Sequence, residues 1–226
     1  MFRSKYSNVL TIILIVAIIA ILVIASILVV NVYKKYKNNK EASIIIGQFQ
    51  NNVGNSIEET EENEVGEGLI EQNVVVSKPN TNSSSNKGTR KVTYYNDFVM
   101  IGYIEIPSIK IKYPVLEKET VASLEKSVVV RYPDNAVLNE VGNIVIVGHN
   151  YRNGMFFSNL KKVSTGDKIK ITDDKGQTLV YTIYEKYETT PEDVSYITRD
   201  VGNNTEITLI TCTDDSKGRI VVKAKV

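Results

Sequence analysis

The sequence predicts an all-β domain with minor helices, a closed or nearly closed eight-stranded barrel, preceded by one transmembrane helix and a disordered tether. Three observations carry this prediction. Residues 9–30 form an apolar run long enough for a bilayer. Residues 31–91 are polar, first Glu-rich and then Ser/Asn-rich. From residue 92 to Val226 apolar periodicity returns in short alternating pieces, punctuated by Pro, Gly, Asn and Asp.

The apolar run Val9–Val30 is 22 residues long, with only Thr11 and Ser26 polar. As a helix it is about 33 Å long, enough to cross a hydrocarbon core. A cleaved signal peptide has a shorter apolar region and a small-residue cleavage site, and no Ala-x-Ala pattern follows here. Residues 1–8 are then a short terminal segment on one side of the membrane. Arg3 and Lys5 precede the span, and Lys34, Lys35, Lys37 and Lys40 follow it. Counted alone, these charges put the following flank in the cytoplasm, but long domains translocate largely regardless of such counts.

Residues 31–91 read as a tether. Glu41 to Ser77 contains no Lys or Arg and includes Glu58, Glu59, Glu61, Glu62, Glu64, Glu67 and Glu71. A Ser/Asn-rich stretch follows up to Gly88. Such a segment lacks the apolar surface to offset its ordering entropy. A helix over part of Ser43 to Gln50 is the alternative.

The barrel domain, residues 92–226, is of ordinary size for one core. Val99–Ile106 and Ile109–Val115 read as strands split by Pro107 and Ser108. Thr120 is a plausible N-cap for a short helix to Lys126. Ser127–Arg131 and Asn143–Val147 are apolar strands, with a turn or helical fragment at Met155–Leu160. Asp167–Thr172 alternates Ile169 and Ile171 against Lys168 and Lys170, and Asp174-Lys-Gly176 turns it into a strand from Gln177 to Lys186. A long connection, Tyr187 to Thr205, contains Pro191 and a predicted short helix from Glu192 to Ile197. Ile207–Thr211 and the alternating Ile220–Val226 are the last two strands, joined through the turn residues Asp214 to Gly218.

Composition excludes several function classes. The formal net charge is +1, which gives no reason to expect a nucleic-acid partner. The single cysteine forms no intrachain disulfide. One His and one Cys, without paired ligand motifs, do not supply a tetrahedral metal site. No phosphate-binding Gly loop is present, so no cofactor is expected.

The same scarcity directs attention to three residues. Cys212, the only thiol, ends a strand ahead of polar turn residues. His149, the only imidazole, follows the strand Asn143–Val147. Arg219 opens the strand after Cys212. Taken singly, each has an ordinary structural explanation. Together they supply a thiolate nucleophile, an acid/base and a cation for an oxyanion or a substrate carbonyl. Asp214 and Asp215 are expected to order the turn rather than to act on the thiol.

Thr208-Leu-Ile-Thr-Cys212 with Arg219 resembles the signature of the sortases, Thr-Leu-x-Thr-Cys and an arginine on the next strand. Gly148-His149 after an apolar strand resembles the sortase histidine. Gly102-Tyr-Ile-Glu-Ile-Pro107 resembles the first barrel strand of that family. The resemblance covers about Met100 to Val226. It implies a membrane-anchored cysteine transpeptidase of the Gram-positive cell surface. Cys212 is then the nucleophile, His149 the acid/base and Arg219 the oxyanion or substrate-positioning group. The implied partners are surface proteins bearing a C-terminal Leu-Pro-x-Thr-Gly-like sorting signal, and an amine of a peptidoglycan precursor or of another protein. The implied location is the cell membrane, single-pass, with the amino terminus cytoplasmic and the barrel outside.

The connection after Tyr187 lies where sortases read the signal. Pro191 stiffens its start, and Val194 and Ile197 at i and i+3 share one face of the predicted helix. With Ile210 and Thr211 beside the cysteine, they are the candidate substrate contacts; loop anchoring is the competing role for Val194 and Ile197. No second hydrophobic span follows the last strand, and no Asp-Pro-aromatic lid precedes the barrel. Pilus-polymerising sortases usually show both, so that role is disfavoured. Two further alternatives are a tethered cysteine hydrolase that releases peptides to water and a non-catalytic surface barrel.

Overall fold

The computed structural model describes residues 5–64 and 92–226. The chain begins with α1 (Lys5–Glu64). The strands follow as β1 (Thr93–Tyr95), β2 (Phe98–Ile106), β3 (Ile111–Leu116), β4 (Val128–Tyr132), β5 (Gly142–Val147), β6 (Lys168–Asp173), β7 (Thr178–Thr189), β8 (Thr205–Cys212) and β9 (Arg219–Lys225). One short helix, α2 (Val121–Leu124), lies between β3 and β4. It starts at the expected N-cap, where Thr120 and Ser123 form a reciprocal capping box.

Eight strands close in the order β2-β3-β4-β5-β8-β9-β7-β6 and back to β2. Closure leaves the barrel without unpaired edges. β1 is an addition that the alternation did not reveal. It forms a hairpin with β2 through a two-residue turn in which both Asn96 and Asp97 have positive φ, the geometry such hairpins favour. Closure also requires β2 to lie between β3 and β6. A Cβ at Gly102 would meet the Thr172 carbonyl oxygen at 2.3 Å and Leu138 Cδ1 at 2.5 Å, so only glycine fits at this close approach.

Alternation along the strands separates two apolar clusters. Ile104, Ile106, Val128, Val130, Ile144, Ile146, Ile169, Ile171, Tyr181, Leu209 and Val222 belong to the larger one. Val129, Val145, Val147, Ile210 and Val221, with intervening positions, form the second, on the opposite face of the sheet. Tyr196 of the long connection, and Ile46 and Phe49 of α1, pack into this second cluster.

The tether expectation is corrected for residues 31–54, which continue the helix without interruption; α1 itself runs to Glu64. Ala42, Ile46 and Phe49 are buried against the barrel, and with Val53, which packs on the second cluster, they recur at helical spacing as a narrow stripe. Tyr113 donates to Asn39 at 2.8 Å, and Gln50 donates to the Tyr103 hydroxyl at 2.9 Å. Phe49 meets the Tyr103 ring edge-on at 6.3 Å between centroids. A composition dominated by polar residues hid this stripe. The remainder of the expected tether, residues 65–91, lies outside the described residues. Over Val9–Val30 the helix leaves its large apolar side chains exposed, and it is long and apolar enough to cross a membrane.

Candidate active site

The register of three strands brings the three singled-out residues to one end of one sheet face. In the β8–β9 hairpin Cys212 lies directly opposite Arg219. β5 runs parallel to β8 with Val147 beside Ile210. The ladder continues past β5, because Gly148 N–H donates to the Ile210 carbonyl at 3.1 Å. Two residues beyond each member of that pair stand His149 and Cys212. Since side chains alternate, Val145, Val147 and His149 share a face, as do Ile210 with Cys212 and Arg219 with Val221. Val145, Val147, Ile210 and Val221 all belong to the second cluster. The outward-facing apolar patch therefore ends in a thiol, an imidazole and a guanidinium.

Local packing fixes the histidine. Gly148 precedes it where a Cβ would lie 2.8 Å from Phe157 Cδ2 and 2.9 Å from Val128 Cγ1. The buried Thr211 hydroxyl donates to the Gly148 carbonyl at 2.7 Å. The imidazole packs on the Tyr151 ring at 4.9 Å between centroids, and Tyr151 in turn lies 5.7 Å from Phe156. Burial pulls the His149 pKa below its ordinary value, opposed by the Glu125 carboxylate. The ring is thus predominantly neutral at neutral pH and able to accept a proton.

Asn150 ties the two strand ends together. Its side-chain amide donates to the Cys212 carbonyl at 3.0 Å and to Asp214 at 2.9 Å, and its oxygen accepts from Arg152 N–H. Asp214 also accepts from Lys161. Hydrogen bonds from Lys161 and then Asn150 hold its carboxyl below the usual range. Asp215 accepts from Thr213 Oγ1 at 2.5 Å and from Lys217 N–H at 3.0 Å. Both aspartates therefore order the turn, as expected from sequence. A cleft of about 540 Å³ opens beside the turn, lined among others by Lys161, Thr189, Thr213 and Gly218. Cys212 itself is half-buried and free. Among the described residues no group of three or more His, Cys, Asp or Glu side chains is placed to hold a metal ion.

The remaining candidates are placed differently. Ile210 and Thr211, the expected substrate contacts beside the cysteine, are buried and hold β8 against its neighbours. The connection from Thr190 to Asn204 contains turns and no helix over 192–197. Asp193 competes with helix formation by accepting from Thr189 Oγ1 at 2.7 Å and Ser195 N–H at 2.9 Å. Val194 is therefore exposed, while Ile197 packs on the second cluster, and they do not share an apolar face. Pro191 is exposed. The neighbouring Glu192 has its pKa lowered by hydrogen bonds to its own backbone and Thr190 and, less, by Arg219. The connection leaves β7 at Thr189, which pairs with Arg219 across β7 and β9.

An unanticipated polar network anchors that connection. Asn143 donates to the carbonyls of Tyr196 and Ile197, each at 3.1 Å. Arg199 donates to Glu206 at 2.6 Å and to Asn143 at 3.2 Å. Thr208 and Tyr184 complete the set, donating to Asn143 at 2.8 Å and to Glu206 at 2.7 Å. These residues are scattered over the sequence and carry no motif.

Comparison with known proteins gives a consistent result. A family model described as the sortase domain matches residues 104–226. Sortase A of Bacillus anthracis is 36% identical over 126 residues, which cover 54% of this chain and 58% of that protein. Sortase A of Streptococcus agalactiae serotype III (strain NEM316) is 30% identical over 139 residues, 59% of this chain and 55% of that protein. The chain thus spans little more than half the length of these curated relatives. Among solved structures, a Clostridium perfringens sortase D5 transpeptidase is similar with TM-score 0.50 and 33% identity, over 56% of this chain and 78% of that one. A lid mutant of Corynebacterium diphtheriae sortase A is similar with TM-score 0.51 and 33% identity, over 56% of this chain and 69% of that one.

Proposed function

The chain belongs to the sortase family, and from that premise we propose that it is a membrane-anchored cysteine transpeptidase. Its donor is a surface protein ending in a Leu-Pro-x-Thr-Gly-like sorting signal, and its acceptor is a cell-wall amine. The observation that carries the proposal is the cross-strand pair Cys212–Arg219, levelled with His149 through the parallel β5–β8 register.

In the proposed reaction neutral His149 takes the thiol proton, and Cys212 Sγ attacks the Thr–Gly carbonyl carbon. Arg219 faces the developing oxyanion. The C–N bond breaks as His149 returns the proton to the leaving amine, leaving a thioester. The acceptor amine then attacks the same carbon, the C–S bond breaks, and the amine proton returns to the thiolate through the imidazole. The exposed apolar helix Val9–Val30 is the membrane anchor, with the amino terminus inside and the barrel outside. Val194 and Pro191 are candidate contacts for the signal at the rim of the connection.

Water in place of the amine makes the same residues a hydrolase. The test is turnover of a Leu-Pro-x-Thr-Gly peptide with and without added amine, read by product mass. Cys212→Ala and His149→Ala are expected to abolish cleavage while keeping the folded near-UV signal. Turnover near wild type in Cys212→Ala refutes the thiol mechanism, and an unchanged product mass with amine present refutes transfer.

A further inference from the structure

The groove between α1 and the barrel takes no part in the reaction proposed above, yet it is built of cations at a definite height. Val30 ends the apolar run, and Lys35 follows five residues later, about 8 Å along the helix axis. Asn39, hydrogen-bonded to Tyr113, stands about 14 Å along. A bilayer's headgroup layer extends roughly 5–8 Å beyond its hydrocarbon core, so this part of the barrel sits just above the lipid surface.

A groove of about 360 Å³ opens there, lined among others by Lys35, Asn39, Lys110, Lys112, Tyr113 and Asn159. Its lining contains three lysines and no carboxylate. The Lys35 ammonium sits so close to Gly154 that a Cβ there would lie 2.6 Å from it. Among the described residues no ion pair involves Lys35 or Lys110, while Lys112 lies 3.6 Å from Glu105. Lys110 also has φ 55°. It is the left-handed cap that ends the short helical turn Pro107–Ile109, so its backbone position is set by that turn. Here the backbone N–H of Lys110 is fixed to the Pro107 carbonyl.

We propose that this groove seats the phosphate of an anionic phospholipid headgroup from the leaflet out of which α1 emerges. Lys35 and Lys110 are the ligating cations, and Lys112 and the Tyr113–Asn39 pair form its wall. Bound lipid fixes the barrel's orientation against the membrane. The seat presupposes that α1 spans the bilayer, and not that the barrel transfers acyl groups.

The test uses the full chain in nanodiscs of phosphatidylcholine, with and without 30% phosphatidylglycerol. Amine-acylation rates of individual lysines are read by mass spectrometry. A basic residue at an anionic surface gains roughly fivefold in occupancy, so Lys35 and Lys110 should be labelled about fivefold more slowly in the anionic discs. Lys37, paired with Glu41 outside the groove, reports general surface attraction and should slow less. Lys35→Gln should remove the protection of Lys110 and leave that of Lys37. Equal protection of Lys37 and Lys110, or no protection, overturns the proposal. Protection of Lys110 in neutral discs by 10 mM inorganic phosphate alone assigns the seat to free phosphate and overturns the lipid source. Failure to co-elute with the discs overturns the anchor and the seat, whereas loss of peptide cleavage in discs that protect Lys110 fails only the transpeptidase reading.

Discussion

Breaking the ion pair beneath the Tyr187–Thr205 connection tests how that connection is held. Arg199 and Glu206 have side chains only 19% and 7% exposed, 2.6 Å apart. Arg199→Leu leaves the Glu206 carboxylate buried with the Tyr184 hydroxyl as its remaining hydrogen-bond donor. Burial, then the bond to Glu206, pushes the Tyr184 pKa up to about 12, so that hydroxyl stays protonated and keeps donating, but it brings no countercharge. Removing one partner of a fully buried pair costs about 3–5 kcal/mol; the partial exposure of Arg199 places this site near the lower end. For a domain of this size that corresponds to a Tm roughly 10 °C lower. The double variant Arg199→Leu/Glu206→Leu removes both charges and should recover most of the loss. It also removes Arg199 Nε, which is buried without a partner. The assays are thermal unfolding and peptide KM, because Arg199 lies two residues past the turn at 195–197, whose Tyr196 packs into the second cluster. A single variant that loses under about 3 °C, or a double variant no better than the worse single, refutes the reasoning.

Three other outcomes follow from the site. Asn150→Ala removes the bond to the Cys212 carbonyl. It should lower kcat on the order of tenfold with little change in KM, because strand-end misplacement affects the attack geometry more than binding; an unchanged kcat argues against the clasp. Gly148→Ala places a methyl against Phe157 and Val128 and should cost about 1–3 kcal/mol in denaturant unfolding, with kcat reduced as His149 shifts; a wild-type midpoint shows that the ring and valine yield freely. His149, whose pKa burial lowers, binds its proton more weakly folded than unfolded. The stability associated with its neutral form is therefore complete above about pH 6.5. It is lost as pH falls through that value towards the folded pKa, so His149→Gln should flatten the stability curve between pH 7 and 5. A parallel decline in both proteins contradicts the assignment.

The barrel was legible because its strands alternate over residues that turn chemistry punctuates. The candidate trio stood out because His149 and Cys212 are unique in the sequence and Arg219 follows at hairpin spacing. Neither signal reaches further. Ala42, Ile46, Phe49 and Val53 form a stripe one residue wide, and only the barrel surface makes it a buried face. The predicted helix at 192–197 gave way to Asp193 side-chain bonds that a propensity count does not weigh. Asn150 stands next to the recognised histidine, but its partners, the Cys212 carbonyl and Asp214, are more than sixty residues away. Ile210 and Thr211 stand just before the cysteine in sequence, and their burial at the seam between β5 and β8 is set by the parallel pairing of those strands.

The position of β9 has a consequence for biogenesis. It is the last strand in chain order, yet it is inserted between β7 and β8. Until it is delivered, β7 and β8 both present unpaired backbone edges of the kind that recruit other chains. It also brings Arg219, so a nascent chain that already holds His149 and Cys212 still lacks the guanidinium. A chain emerging amino terminus first therefore lacks one of the three candidate residues until β9 is inserted, and the step that brings Arg219 opposite Cys212 is the same one that closes the barrel.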